Sequence, residues 1–442
     1  MNQLNTLRAH TREIFYAGLR AVEPSTCMRR HIHLDGSSLR IGEVTYRLNT
    51  YKDIYVVGFG KASGFMAVTL EELLGERIKA GIVNIRYGYH APCKIIKINM
   101  AGHPVPDEAG IKGTIEIVHL LRNAEENDLV ICLISGGGSA LFELPCDGIS
   151  LGEVQEITEL LLKSGAGINE VNTIRKHISQ VKGGRLAKMC KAEIASLILS
   201  DVVNNQPDTI ASGPTLPDYS TFLDCEKIFM KYELFQKIPV SIRMHIQKGL
   251  DGKIKETPKF TDKIFDKVYN VIIGNNRMAL EASYNKAMEL GYHTVVLTSY
   301  LNGEAREVAR VYGAIAKEIY QTGNPAERPA CIIAGGETTV TVKGDGKGGR
   351  NQEFVLSAAM EINGLENTVI FSAGTDGIDG NTDAAGAIAD GFTVARAKSI
   401  AMNPEAYLGN NDSYSFFKGL NDQIVTGPTK TNVMDIMLLL VK

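Results

Sequence analysis

Nearly every short apolar run in this chain ends in a glycine-rich or small polar loop. The loops are GFGKASG at 58–64, SGGGSA at 135–140, SDVVNNQPD at 200–208, GNN at 274–276, AGGET at 334–338 and AGTDGIDG at 373–380. Runs such as DIYVVG, DLVICLIS and EIASLILS are too short for helices and rich in β-formers, and helical patterns such as KASGFMAVTLEELLGE alternate with them. Strand alternating with helix demands parallel βαβ units, hence an α/β fold built on a doubly wound sheet. In such sheets ligands bind beyond the carboxyl ends of the strands, so the loops are expected to converge on one crevice.

At 442 residues the chain exceeds what one core usually serves. Two domains are expected, an N-terminal Rossmann-like domain over 1–250 and a smaller C-terminal α/β domain over 265–442, joined through the irregular, Lys-rich HIQKGLDGKIKETPKFTDKIFDK. In the second, TTVTVKGDGKGGRNQEF reads as a hairpin or a mixed sheet edge. Residues 1–20 read as an amphipathic helix without the apolar centre of a signal peptide. A formal net charge of -3 gives no bulk attraction to nucleic acid or to an anionic membrane, and no segment approaches a membrane span. The seven cysteines are odd in number and widely spaced, with no C-x-x-C pair, and Cys132 and Cys331 fall inside strand runs as small hydrophobes. They predict a reduced, cytoplasmic protein without a zinc site.

The loops carry the chemistry. VVGFGKASG nearly matches a dinucleotide fingerprint, but Ser63 stands at the third glycine position and the next strand ends in NIRYG, with no acid for a ribose. Lys61 instead places an ammonium at a helix start beside Gly60, an arrangement suited to a phosphate or carboxylate. Ser139 lacks the G-x-S-x-G of a nucleophile elbow, because Leu141 replaces the last glycine. Gly136, Gly137 and Gly138 are better read as a backbone cradle for phosphate oxygens, with Ser139 beside them.

Three further stretches carry charge. In VNTIRKHISQVKGGRLAKM, Arg175 and Lys182 are expected on similar sides of one helix, with Arg185 following, and the Gly183-Gly184 pair indicates a close backbone approach. In GDGKGGRNQEF, Arg350 opens a helix, where the dipole repels a cation, so an anion is expected on it. GTDGIDGNTDAAGAIAD offers Asp376, Asp379, Asp383 and Asp390. It misses a calcium loop, since Ala384 replaces the required glycine, but suits Mg²⁺ or a proton acceptor, work that Asp201 could share. Gly335 and Glu337 of AGGET join Gly60, Ser63, Gly136–Ser139 and Lys182 as expected nucleotide contacts.

These stretches, with GHPVPDEAG, LSDVVNNQPDTIASGPTLPD and GPTKTNVMDIMLLLV, run in one order along nearly the whole chain, which resembles the glycerate 2-kinase family, the MOFRL-type glycerate kinases once labelled hydroxypyruvate reductases. The resemblance implies a Rossmann-like domain, a smaller MOFRL-type domain and an active site between them. It also implies ATP-dependent phosphorylation of D-glycerate to 2-phospho-D-glycerate. The family's catalytic lysine in GKAS falls on Lys61 and its arginine in GGRNQE on Arg350. Where many relatives read DVPGDDPS this chain reads DVVNNQPD, with fewer carboxylates for a metal.

Taken together, the expectation is a phosphoryl-transfer enzyme using ATP and Mg²⁺ or another divalent cation. Lys61, Arg350, Asp201 and Asp376 are its catalytic candidates, and Asp201, Asp376 and Asp379 its candidate metal ligands. Its partner is the small molecule D-glycerate, without nucleic acid or membrane. An NAD(P)-dependent hydroxypyruvate reductase and a non-catalytic nucleotide-binding protein are the rival readings.

Overall fold

A computed structural model describes residues 2–203 and 206–442. Asn204 and Asn205, inside the expected loop at 200–208, lie outside the described residues. The chain divides into two compact units, one of residues 27–273 and one of residues 1–26 with 274–442. Among the described residues no helix is long and apolar enough to cross a membrane. Among the described residues none of the seven cysteines forms a disulfide, and Cys132 and Cys331 are buried.

The unit of residues 27–273 opens with a small antiparallel sheet, β1 Ile32–Asp35, β2 Ser38–Ile41 and β3 Val44–Arg47. Its turns place Gly36 and Gly42 at positive φ, a D-G and an I-G signal that the sequence reading passed over. The main sheet holds β4 Ile54–Phe59, β5 Ile78–Arg86, β6 Ile96–Ala101, β7 Leu129–Ser135, β8 Glu193–Leu199 and β9 Val268–Gly274, in the order β6-β5-β4-β7-β8-β9. The pairs from β6 across to β8 are parallel. Counted from β4 this order is 3-2-1-4-5-6, whose direction of winding reverses between β4 and β7. β7 is buried at every residue, because helices cover both faces of a parallel sheet, so its sequence is a continuous apolar run without alternation. Phe59 at the end of β4 stacks on Phe142 with ring centroids 4.0 Å apart, closing the core under the loops. A second, helical core joins Leu151–Lys163, Ile168–Ile178, Phe222–Lys231 and Val240–Leu250. Reciprocal capping boxes at Ser150/Glu153 and Thr221/Asp224 start two of these helices.

The other unit carries a mixed sheet of β10 His293–Leu301, β11 Ala330–Gly336, β12 Thr368–Gly374, β13 Gly386–Asp390, β14 Gln423–Ile424 and β15 Asp435–Val441, ordered β10-β11-β15-β12-β13-β14. Only β10 and β11 are parallel; β15, fully buried, runs antiparallel to both β11 and β12. The stretch at 338–349, expected as a hairpin or a mixed sheet edge, forms neither and adds no strand to this sheet. That glycine-rich stretch instead bonds to side chains, Lys343 N–H to Asn411 Oδ1 at 2.7 Å and Lys347 N–H to Asp412 Oδ1 at 3.1 Å.

The units do not follow the expected boundaries of 1–250 and 265–442. The helix Asn2–Ala21 packs in the second unit: Phe15 lies 5.0 Å from Phe371, Ile14 O accepts from Ser283 Oγ at 3.1 Å, and Arg8 pairs with Asp390 and Asp422. β9, expected in the second domain, adds an edge strand to the first sheet. Apolar pattern alone does not say which sheet completes which element.

Candidate active site

The reversal point between β4 and β7 brings two of the loops together. Lys61 N–H donates to Gly136 O at 2.8 Å and Ala62 N–H to Ser135 Oγ at 3.0 Å. Gly60, at φ +127, must be glycine: a Cβ there would stand 2.3 Å from Ser135 Oγ. Gly137, at φ +81, turns the second loop, and the N–H groups of Gly137, Gly138 and Ser139 donate to no described residue. They form a backbone concavity with the Lys61 side chain against it, since a Cβ on Gly137 would lie 3.3 Å from Lys61 Cγ. Asp201, after β8, completes the rim; a Cβ on Gly136 would meet its carboxylate at 1.9 Å. Lys61, Gly60, Gly136–Ser139 and Asp201 thus share one rim, as their places after β4, β7 and β8 led one to expect.

His103 belongs to this cluster and carried no role in the sequence reading. Its ring edge faces Gly137, 2.8 Å from where a Cβ would stand, and its buried Nδ1 has no hydrogen-bond partner. Burial, then the positive charges of Lys61 and Arg86, push its pKa down to about 4, so the imidazole is neutral at pH 7. The available signal was a histidine in a glycine- and proline-bracketed turn, GHPVP.

Ser139 makes one side-chain bond among the described residues, to Ser212 Oγ at 2.9 Å, and Ser212 donates to Asn172 Oδ1 at 3.1 Å. Among the described residues no imidazole or carboxylate bonds Ser139 to activate it as a nucleophile. Ala211 and Ser212 hold left-handed backbone at φ +50 and +61, strain that presses this turn against Gly138 and aims Ser212 at the loop. The dinucleotide reading loses its ground too: β5 ends in Asn84 and Arg86 instead of an acid, and Asn84 is sealed inside, donating to Leu141 O at 2.8 Å.

Three expected contacts are corrected. Ser63 is fully buried, donating to Phe59 O at 2.7 Å and bonding Ser135 Oγ at 3.0 Å, so it ties β4 to β7 and meets no ligand. Lys182 is also fully buried, donating to Glu143 Oε2 at 2.6 Å and Phe142 O at 2.7 Å. The helix ends at Ile178, and Gly183 and Gly184 at positive φ reverse the chain, so Arg175 and Lys182 do not share a helix face. Arg185 caps that helix through the carbonyls of Lys176 and Ser179. Asp379 accepts from the N–H groups of Asn351 and Gln352 at 3.0 and 2.9 Å and from both of their side-chain amides. Both of its oxygens anchor the positive end of the helix Arg350–Glu361, which leaves it no metal role.

Arg350 stands in the unit of residues 1–26 and 274–442. Its guanidinium grips Asp435 in bidentate fashion, Nε to Oδ2 at 2.5 Å and Nη2 to Oδ1 at 3.0 Å, and reaches Glu337 Oε1 at 2.6 Å. The anion expected on it is therefore supplied by the protein itself. Coulombic attraction to Asp435 holds its pKa above the ordinary arginine value against the opposing effect of burial. Arg350 and Glu337 border a cavity of about 570 Å³ within this unit, lined also by Thr338, Gly348, Gly349 and Asn411. Gly335 is buried on β11 against Asn276, away from this lining. Asp376 follows β12 and accepts from Ile378 N–H at 3.1 Å in a local turn. Among the described residues no group of three or more His, Cys, Asp or Glu side chains is arranged to hold a metal.

Known proteins match this chain along most of its length. Residues 10–247 match a domain of unknown function (DUF4147) and residues 330–435 match the MOFRL family. Glycerate 2-kinase from Pyrococcus horikoshii is 46% identical, covering 88% of this chain and 87% of that protein. D-glycerate 2-kinase from Thermotoga maritima is 44% identical over 88% of this chain and 90% of its own length. The crystal structure of glycerate kinase from Thermotoga maritima superposes with a TM-score of 0.87 at 41% identity, covering 99% of this chain and 100% of that one. With both halves matched at these identities, the chain belongs to the glycerate kinase family.

Proposed function

We propose that this protein is a glycerate 2-kinase, transferring the γ-phosphoryl group of ATP to the 2-hydroxyl of D-glycerate. The observation that carries the reading is the Lys61 and Gly136–Ser139 rim at the winding reversal of a chain 46% identical to a glycerate 2-kinase. The nucleotide fits that rim: three unpaired backbone N–H groups, a glycine at positive φ and a lysine side chain suit phosphate oxygens. A divalent cation fits as well, because a nucleotide-borne Mg²⁺ needs only one or two carboxylates, and Asp201 beside Gly136 would supply one. When bound, Mg²⁺ neutralises charge on the phosphates.

In the reaction the substrate hydroxyl oxygen bonds to the γ-phosphorus as the bond to the ADP oxygen breaks, and the hydroxyl proton passes to a carboxylate, Asp201 or Asp376. Lys61 stabilises charge on the moving phosphoryl group or holds the substrate carboxylate, and Arg350 is the second cation assigned to this work. His103, neutral and packed on Gly137, adds no charge to the rim. Gripping the carboxylate aligns the adjacent 2-hydroxyl, and alignment outweighs the lower steric hindrance of the 3-hydroxyl. Cysteines that form no disulfide among the described residues are consistent with a cytoplasmic enzyme.

Coupling the product to enolase without added mutase tests the assignment. Signal that requires both ATP and D-glycerate is expected; 3-phosphoglycerate as the main product in phosphorus NMR overturns the regiochemistry, and NAD(P)H oxidation with hydroxypyruvate in its place overturns the kinase.

A further inference from the structure

Arg175 projects from the helix Ile168–Ile178, three residues after Asn172 and so on the same face. Asn172 accepts from Ser212 at 3.1 Å, and Ser212 meets Ser139 at 2.9 Å, which places this face against the glycine loop. Glu143, the carboxylate that acts most on Arg175, follows Ser139 by four residues. It is already committed to Lys182 at 2.6 Å. Of the other cations nearby, Lys176 pairs with Asp208 and Asp218 at 3.3 Å each, and Arg185 donates to carbonyl groups. Arg175 makes no hydrogen bond and no ion pair with any described residue. Its guanidinium is partly buried, and burial holds its pKa below the ordinary arginine value. A guanidinium cannot shed its proton to escape that cost, so it is stable there only with an anion or water to receive its five N–H groups.

We infer that Arg175 is a ligand-binding residue: its guanidinium, which bonds no described residue and lies on the helix face that Asn172 and Ser212 link to Ser139, receives an oxyanion of a reactant, the carboxylate of glycerate or a phosphate of ATP. The inference deepens the kinase reading and rests on it for the identity of the two anions. A planar fork takes either group bidentately, which a lysine does not.

The test compares wild type with Arg175→Met and Arg175→Lys. Binding of D-glycerate and of ATP is measured separately by calorimetry, with KM for each substrate beside it. Loss of about 10- to 100-fold in affinity for glycerate alone supports the carboxylate arm, and the same loss for ATP alone the phosphate arm. Arg175→Lys recovers part of either loss. Thermal melting of the ligand-free proteins is the second readout: removing an unpaired, partly buried charge leaves the Arg175→Met melting temperature equal to or above that of wild type. A lower ligand-free melting temperature with unchanged affinities makes Arg175 structural and overturns the inference. So does unchanged binding of both ligands in a well-folded variant, or failure of wild type to bind either. If wild type binds the ligands but forms no phosphoglycerate, the kinase reading fails and the binding comparison still decides Arg175.

Discussion

Arg350 and Asp435, 85 residues apart, form a bidentate ion pair in which the carboxylate is fully buried and the guanidinium partly exposed. The pair gives Arg350 two separable duties. Arg350→Ala strands Asp435 as a buried charge and should cost roughly 2–4 kcal/mol of stability along with activity. Arg350→Ala combined with Asp435→Asn should recover most of the stability in urea unfolding and none of the turnover. Restored turnover in the double variant would remove Arg350 from the reaction.

Lys61 has a different environment. Its backbone N–H holds Gly136, but its side chain lies at the loop rim and is not packed in the core. Lys61→Ala is expected to lower kcat by about 10²-fold or more with an unchanged melting temperature. Ser139→Ala, which removes only a hydroxyl bonded to Ser212, should keep most of the activity, and a serine-directed acylating reagent should leave no adduct in a mass spectrum.

Lys182→Met tests the opposite case. It leaves Glu143 unpaired at 2% exposure and is expected to destabilise the protein by about 3–5 kcal/mol, whereas Lys182→Met with Glu143→Leu should regain much of that. Equilibrium unfolding of the single and double variants reads the difference. A raised KM for ATP at unchanged stability would return Lys182 to the ligand contacts.

His103 predicts a pH dependence. Its pKa falls from the ordinary 6.5 to about 4 on folding, chiefly through burial. Between those values the unfolded chain binds a proton that the folded protein refuses. The stabilising contribution is therefore complete above pH 6.5 and is lost as pH falls towards 4. Unfolding free energies measured from pH 4.5 to 7 should rise less steeply for His103→Gln than for wild type, and parallel curves would place the imidazole in an ordinary solvated setting.

Much of the site was legible before the fold. Lys61 and Gly136–Ser139 meet because strands β4 and β7 end in glycine loops, and loops at the carboxyl ends of adjacent parallel strands must converge. Gly60 was readable for the same reason, since its tight approach to Ser135 is a property of the turn. His103 was not, because a histidine in a loop carries no periodicity and its neutral state depends on Lys61 and Arg86 arriving from other strands.

The sequence by itself determined the main alternation of strand and helix and the glycine loops that interrupt it, since period, chain stiffness and turn chemistry are local. Only the tertiary structure decided what each charge faces. Lys182 reads as a nucleotide contact on a helix, yet Glu143, 39 residues away, takes it into the core. Asp379 reads as a metal ligand, yet the helix start 27 and 28 residues before it claims both oxygens. The helix Asn2–Ala21 and the strand β9 each join the unit that the other end of the chain suggested. The physical reason is common to all of them: burial and ion pairing are properties of what packs against a residue, and those partners arrive from segments that no local pattern names.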